Sequence, residues 1–402
     1  MGKRFRSAAV AVLATTATAL SAAAATPATA AAPRTAVSHT PISGSGSPYT
    51  GVAIDLWAQD LRPRGIVVNY NPFGSAAGRV SFIQDQVDFA GSDEPFRHSR
   101  DKLGNTGPEI VPWSYSYVPD AGGAVAFPYH LSVHGHPFTS LRLSEKTVME
   151  IFTGKITNWD DPQITRDNGQ QLPDLPIKPV IHTEASGSGS NYYFTRWLSH
   201  VFPTQWNSFC EKTVPGLKPP CGVSEFYPRF GNAVAENGSN NIAAYIASGR
   251  GNGAIGMDEP VYAQASKLPV AMLGNPGGAY VAPTETNVTT ALTQALIVEN
   301  PHSPDFLQVD LNPLYTSKNP KSYLLSYSSY LIVPRTPKPP AEFASPAGKG
   351  KTLTTFVRFL LCHGQSQAAQ ADYAPLPQNL VKSGLAQTPF IPGHGPTSPT
   401  CP

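Results

Sequence analysis

Charge is scarce in this chain. Only 14% of its 402 residues are Asp, Glu, Lys or Arg, against about a quarter in an ordinary soluble protein. The 29 basic and 27 acidic residues leave a formal charge of +2, with no run of basic residues. Such a chain cannot neutralise a row of backbone phosphates, so a nucleic-acid partner is excluded. Cysteine is scarce as well. Cys210, Cys221, Cys362 and Cys401 show no C-x-x-C spacing, which argues against a thiolate metal site. Beyond the N-terminal region no run reaches the ~18 apolar residues that a membrane span needs. No unit recurs with a period of about 20 to 50 residues, which excludes a solenoid or propeller. What is abundant is Gly (34) and Pro (41), which rules out long coiled coils. The apolar fraction of 41% fits a globular chain, long enough for two to three domains of about 150 residues each.

The first 32 residues read as a secretory signal peptide. Lys3, Arg4 and Arg6 form a basic start, an Ala/Val/Leu stretch follows, and Ala28-Thr29-Ala30 is a small-x-small cleavage site. Removing the three basic residues takes the mature charge to −1. The leader has no Arg-Arg pair and no cysteine lies near its cleavage site, so general secretion is expected rather than twin-arginine export or lipid anchoring. In an exported protein four cysteines imply two disulfides, with three pairings open. Cys210–Cys221, closing a Pro/Gly-rich excursion, and Cys362–Cys401, pinning the tail, are the favoured pair.

Residues 33–43 read as a polar linker, and residues 388–402 as an irregular Pro-rich tail. Between them helical and strand patterns alternate, which predicts an α/β fold. Ser47 and Pro48 open a helix as N-cap and first residue. Residues 66–70, 87–90, 178–182, 254–256 and 323–333 are strand-like. Helices are expected over 144–152, from the 186–190 cluster onward, over 241–247 and over 352–362.

Three clusters of small residues stand at helix entrances: Gly44-Ser45-Gly46-Ser47, Gly74-Ser75-Ala76-Ala77-Gly78 and Ser186-Gly187-Ser188-Gly189-Ser190. A helix N-terminus presents unpaired N–H groups and about half a positive charge. Glycine admits a ligand to the backbone, and serine adds donors. Three such ends aimed at one point would cradle a small anion without a basic protein around them. Other patterns carry less. His130, His134 and His136 lack a carboxylate or cysteine to complete a metal site, and no cofactor is implied. Ser188 lies outside a G-x-S-x-G elbow because position 186 is Ser.

From Gly44 to about Leu380 the chain resembles the phosphate-binding components of bacterial ABC transporters, the PstS type. The resemblance rests on GSGSPYTGVAIDLWAQD (Gly44–Asp60), FGSAAG (Phe73–Gly78), VDFAGSDEP (Val87–Pro95), TVMEIFTGKITNWDDPQI (Thr147–Ile164), SGSGSNYYFTRWLS (Ser186–Ser199), IAAYIASGRGNGAIGMDE (Ile242–Glu259) and DYAPLP (Asp372–Pro377). It implies a two-lobed periplasmic-binding-protein-like (type II) fold with two crossover hinge segments. One lobe would comprise residues 44–122 plus 325–387 and the other 123–324, with the crossings near Gly122-Gly123 and Tyr323 to Tyr330. It also implies a monomer that closes around phosphate or a similar small oxyanion and hands it to an ABC permease. By resemblance the ligand is held by Ser47, Tyr49, Ser75, Asp93, Ser188, Gly189 and Ser190. Asp93 only accepts hydrogen bonds, so it suits an oxyanion that still carries a proton and disfavours sulfate.

The chain departs from the family pattern at two positions. Pro48 replaces a threonine and brings neither N–H nor hydroxyl. Glu184 stands where the family has its anion-clamping arginine, and Ser186 where that arginine's aspartate partner would be. His182, Arg79, Arg97 and Arg196 are the candidates to supply the missing charge. A relative with a changed small polar ligand, acting as sensor or scavenger, and a secreted phosphate-ester hydrolase are the alternative readings.

Overall fold

The computed structural model describes residues 39–336 and 348–401. The expected leader, and the linker as far as residue 38, lie outside the described residues. Ile42 to Gly46 forms the first strand, β1, with Ile42 buried in the core. The expected linker therefore ends too late: Ile42 and Ser43 pair with Val68 and Asn69 in the first sheet.

That sheet has five strands. With β2 (Val68–Asn71), β3 (Phe89–Ser92), β4 (Tyr115–Ala124) and a late strand Ser326–Pro334, its order is β2-β1-β3-late strand-β4. β1 runs parallel to β2 and β3, and the late strand is antiparallel to β3 and β4. Helix α1 (Pro48–Leu61) links β1 to β2, and α2 (Ser75–Ile83) links β2 to β3. These are the crossovers that parallel pairing requires. α1 starts where the sequence predicts: Ser47 Oγ accepts the Tyr49 N–H at 3.0 Å, and Pro48 takes the first-turn place where no N–H is missed. Its Ala53, Ile54, Trp57 and Leu61 face the core, and the Trp57 indole donates to the Gly364 carbonyl at 2.9 Å. Two glycines set how closely α2 approaches the sheet. A Cβ on Gly78 would lie 2.4 Å from Gly46 Cα and from the Ser45 carbonyl, and one on Gly46 would lie 1.8 Å from the Gly91 carbonyl. Only hydrogen side chains let the α2 entrance sit against the end of β1.

The second sheet is wholly parallel. It sets β5 (Lys178–His182) between β6 (Val234–Glu236) and β7 (Ala254–Gly256). The helix α3 (Gly189–Val201) follows β5, and α4 (Ser239–Ala247) follows β6. The late strand completes the numbering as β8. A smaller mixed sheet, from 142–143, 272–274 and 280–281, extends this half.

Two strands connect the halves. β4 runs on from Ala124 into residues whose bridges lie in the second half: Ala126 with Asp258, Pro128 with Val270, and Tyr129 with Ile255. The chain returns beside it, with the Val125 N–H donating to Leu325 O at 2.9 Å just before β8 begins. β4 and β8 pair from Ser326↔Ala124 to Pro334↔Tyr115, with one register shift between Ser328 and Tyr330. The result is a two-lobed α/β fold with paired crossing strands.

Both disulfides take the favoured pairing, Cys210–Cys221 and Cys362–Cys401. The second holds an irregular tail, in which one short 3-10 turn at Thr388–Phe390 buries Thr388, and Ile391 just beyond it is buried too. Among the described residues no helix is long and apolar enough to cross a membrane.

Candidate anion-binding cleft

In both sheets the parallel strands end, and the helices that follow them begin, at one cleft of ≈580 Å³. A ligand in an open α/β sheet sits at such strand ends. Pro48, Tyr49, Ser75, Asp93, Glu184, Ser188 and Gly189 all line it, although they come from four separate stretches of chain. Ser47 and Ser190, both fully buried, stand behind the wall.

Of the helices α1 to α4, which all open on the cleft, three have no side chain capping their first turn. α2 follows Gly74, α4 follows Gly238, and α3 follows Ser188, whose hydroxyl makes no cap bond. Elsewhere the helices starting after Ser144, Asp161 and Thr284 are capped by those residues' side chains, and those starting after Phe202, Gly348 and Pro377 are not. The uncapped ends at the cleft leave first-turn N–H groups, and the positive end of each helix, for an anion. α1 differs. Its Tyr49 N–H is donated to Ser47 Oγ, while the Tyr49 ring packs edge-on to Tyr373 at 4.8 Å and its hydroxyl donates to Gly122 O at 2.9 Å.

Asp93 is the acceptor at the centre. Ser47 Oγ lies 2.8 and 2.6 Å from its two carboxylate oxygens, Ser75 Oγ donates to it at 3.2 Å, and its own N–H donates to Ser75 Oγ at 3.1 Å. Burial, reinforced by the neighbouring Glu94, pushes its carboxyl well above the usual range, against the pull of the Ser47 hydrogen bond. The lobes meet at this residue. The Tyr193 hydroxyl of α3 donates to the Asp93 carbonyl, and a Cβ on Gly189 would lie 2.7 Å from Asp93 Cβ. Gly189 is the residue that lets the third helix entrance reach the acceptor.

The candidate stand-ins for the absent arginine separate cleanly. Arg79 is fully buried and forked among Glu94, Glu109 (3.0 Å) and Glu225 (2.7 Å). Arg97 pairs with Glu225 at 2.8 Å, and Arg196 lies 3.7 Å from Asp310. None of the three lines the cleft, whereas His182 does. It stands at the end of β5, with Nδ1 2.7 Å from Glu184 Oε1. Glu184 Oε1 also accepts the Gly238 N–H at 2.9 Å.

Some of the wall was missed from sequence. The run Asn237-Gly238-Ser239-Asn240-Asn241 lines the cleft at the entrance of α4, with Glu259 and Tyr262 opposite. The signal was present: this run has the same small, polar, glycine-containing character as the three clusters singled out. Glu259 accepts hydrogen bonds from Ser190 Oγ and, at 2.8 Å, from Ser239 Oγ, thereby tying α3 to α4. Ser188 Oγ has no hydrogen bond to a histidine among the described residues, and no group of His, Cys, Asp and Glu there is arranged to hold a metal ion.

Helix ends and a buried acceptor gathered between two lobes define a solute-binding protein. The family model of the PBP superfamily domain matches residues 23–363, and the chain belongs to that superfamily. It is similar to "Phosphate-binding protein PstS" of Xylella fastidiosa, 28% identical over 343 residues, covering 85% of this chain and 83% of that one. The protein of the same name from Methanocaldococcus jannaschii is 27% identical over 349 residues, covering 86% and 84%. Among solved structures, a high-affinity periplasmic phosphate-binding protein, PfluDING, bound with phosphate, superposes with a TM-score of 0.56 at 20% identity, covering 86% of this chain and 93% of that one.

Proposed function

We propose that this protein is an exported, monomeric solute-binding protein that captures inorganic phosphate between its lobes and delivers it to an ABC permease. The observation that carries this reading is that uncapped helix entrances and Asp93 share one cleft. The entrances supply donors for an oxyanion's oxygens, and Asp93 accepts the proton that phosphate retains and sulfate does not. The names of the similar proteins support the same ligand. The lobes are taken as 44–122 plus 325–387 and 123–324, with capture by hinge closure between them.

One observation favours a second reading. The cleft wall holds three carboxylates, Asp93, Glu184 and Glu259, and no arginine. A relative that has exchanged phosphate for another small polar ligand would look like this. Calorimetric titration with phosphate, arsenate and sulfate separates the two. Phosphate and arsenate binding tightly with sulfate silent supports phosphate capture; no heat from any oxyanion supports the changed ligand.

A further inference from the structure

We propose that His182 takes the place of the family's arginine: its imidazolium, oriented by Glu184, is the counter-charge for the captured oxyanion, which makes capture proton-linked. This rests on the phosphate reading and names the cation of that site.

His182 is the only basic side chain among the residues that line the cleft. The three arginines that were the other candidates are held by carboxylates elsewhere. Its placement follows from the fold. β5 ends at His182, level with Glu236 on β6, so this buried residue stands at the strand-end edge where the helix entrances gather. Nδ1 is engaged by Glu184, and Asn191 Nδ2 from α3 donates to its carbonyl at 3.3 Å. Nε2 has no hydrogen-bond partner among the described residues and lies 3.8 Å from Asp258 Oδ1.

The groups around His182 are acidic or neutral: Glu184 on its own segment, Asp258, Glu259 and the Met257 backbone beyond β7, and Asn191 on α3, with Glu236 its register partner on β6. Burial alone would lower the affinity of the ring for its second proton, but the hydrogen bond and charge of Glu184, with Glu259 adding to it, hold it above the ordinary histidine value. The departure at position 184 then has a physical logic. An arginine clamps an anion at every pH. A histidine beside a carboxylate clamps it only while protonated, and the replacement of arginine by Glu184 supplies the carboxylate that keeps it so. Glu184 is a positioning residue that acts through His182.

The test is phosphate affinity from pH 5.5 to 8.5 by calorimetry for the wild type, His182→Gln and Glu184→Gln, with proton uptake read from buffers of different ionisation enthalpy. The titration of phosphate itself is common to all three proteins and cancels in the differences. The expected result at pH 6 is a loss of about 10- to 100-fold in His182→Gln, the worth of one charge-assisted contact. The loss should shrink towards pH 8.5 as the wild type sheds its proton, and the wild type should take up more protons on binding than His182→Gln. Glu184→Gln should move the fall in affinity to lower pH. A purely structural role, neutralising Glu184 and Asp258, would lower the melting temperature while leaving the pH profiles of binding parallel. Parallel profiles with equal proton counts overturn the proposal while phosphate capture stands. No phosphate heat from the wild type at any pH overturns phosphate capture itself and this inference with it. Should His182→Gln fail to fold, the Glu184→Gln profile decides: a curve unshifted from the wild type overturns the proposal.

Discussion

Replacing Asp93 by Asn separates binding from stability. The wild-type carboxylate accepts from Ser47 Oγ and Ser75 Oγ at 2.6 to 3.2 Å, and in the proposed role a ligand P–OH would complete its acceptor sites. A hydrogen bond to a buried charge is worth about 1.5–3 kcal/mol, so losing it should weaken phosphate binding by about 10- to 100-fold. The Asn amide donates where the carboxylate only accepts, so a fully deprotonated oxyanion is no longer repelled. The phosphate-to-sulfate preference should fall more steeply than phosphate affinity itself. Stability should move the other way or not at all. Burial and the charge of Glu94 both oppose ionisation of Asp93, and a neutral amide removes both penalties while its oxygen still accepts from Ser47. The assay is paired: calorimetry with phosphate and sulfate, and thermal melting without ligand. Unchanged phosphate affinity with sulfate still excluded would refute the acceptor role. A melting temperature several degrees lower would show that the carboxylate is needed for the fold instead.

Two further predictions concern the buried charges around the site. Arg79→Met should destabilise the protein by about 3–5 kcal/mol in urea unfolding, because it leaves Glu94, Glu109 and Glu225 without their shared cation in a dry environment; a loss below about 1 kcal/mol would show that water reaches the network. The ligand-free protein should also melt at a higher temperature at pH 5 than at pH 8. Burial pushes the carboxyls of Glu94 up to about 7 and of Asp120 up to about 6, and raises those of Asp93 and Asp258 well above the usual range. Between the unfolded value near 4 and these folded values the native chain holds more protons than the unfolded one. The stabilisation is therefore complete below about pH 4 and fades as the pH rises through 6 to 7. His182, raised as well, acts with the same sign. A melting temperature that is flat or rises over this interval would contradict the reasoning.

Local signals were legible where local physics decides. Ser47-Pro48 is a cap and first-turn pair whatever surrounds it, and α1 begins there. The apolar runs at 178–182 and 254–256 became central and edge strands of one parallel sheet, since alternation with helices leaves few other arrangements. The composition of Ile42-Ser43-Gly44-Ser45-Gly46 is that of a loop, which is why a linker is expected to reach residue 43; the segment is a strand because Ile42 is buried and it lies between β2 and β3, where small residues let Phe89 and α2 pack close. The Asn237–Asn241 entrance escaped notice because a glycine-containing polar run has no distinguishing mark until its helix is seen to point somewhere.

The sequence by itself determined the helix entrances, the strands between them, the presence of an acceptor at Asp93 and the loss of arginine at position 184, because capping, periodicity and residue chemistry act over a few neighbours. Only the tertiary structure decided which of the charges share a cavity. Arg79, Arg97 and Arg196 were equal to His182 as one-dimensional candidates. Packing buried the first among three glutamates, paired the others with carboxylates, and left the histidine at the strand end beside the cleft. Charge pairing is set by distances between residues remote along the chain, here as far apart as Arg79 and Glu225, and that information exists only once the chain has folded.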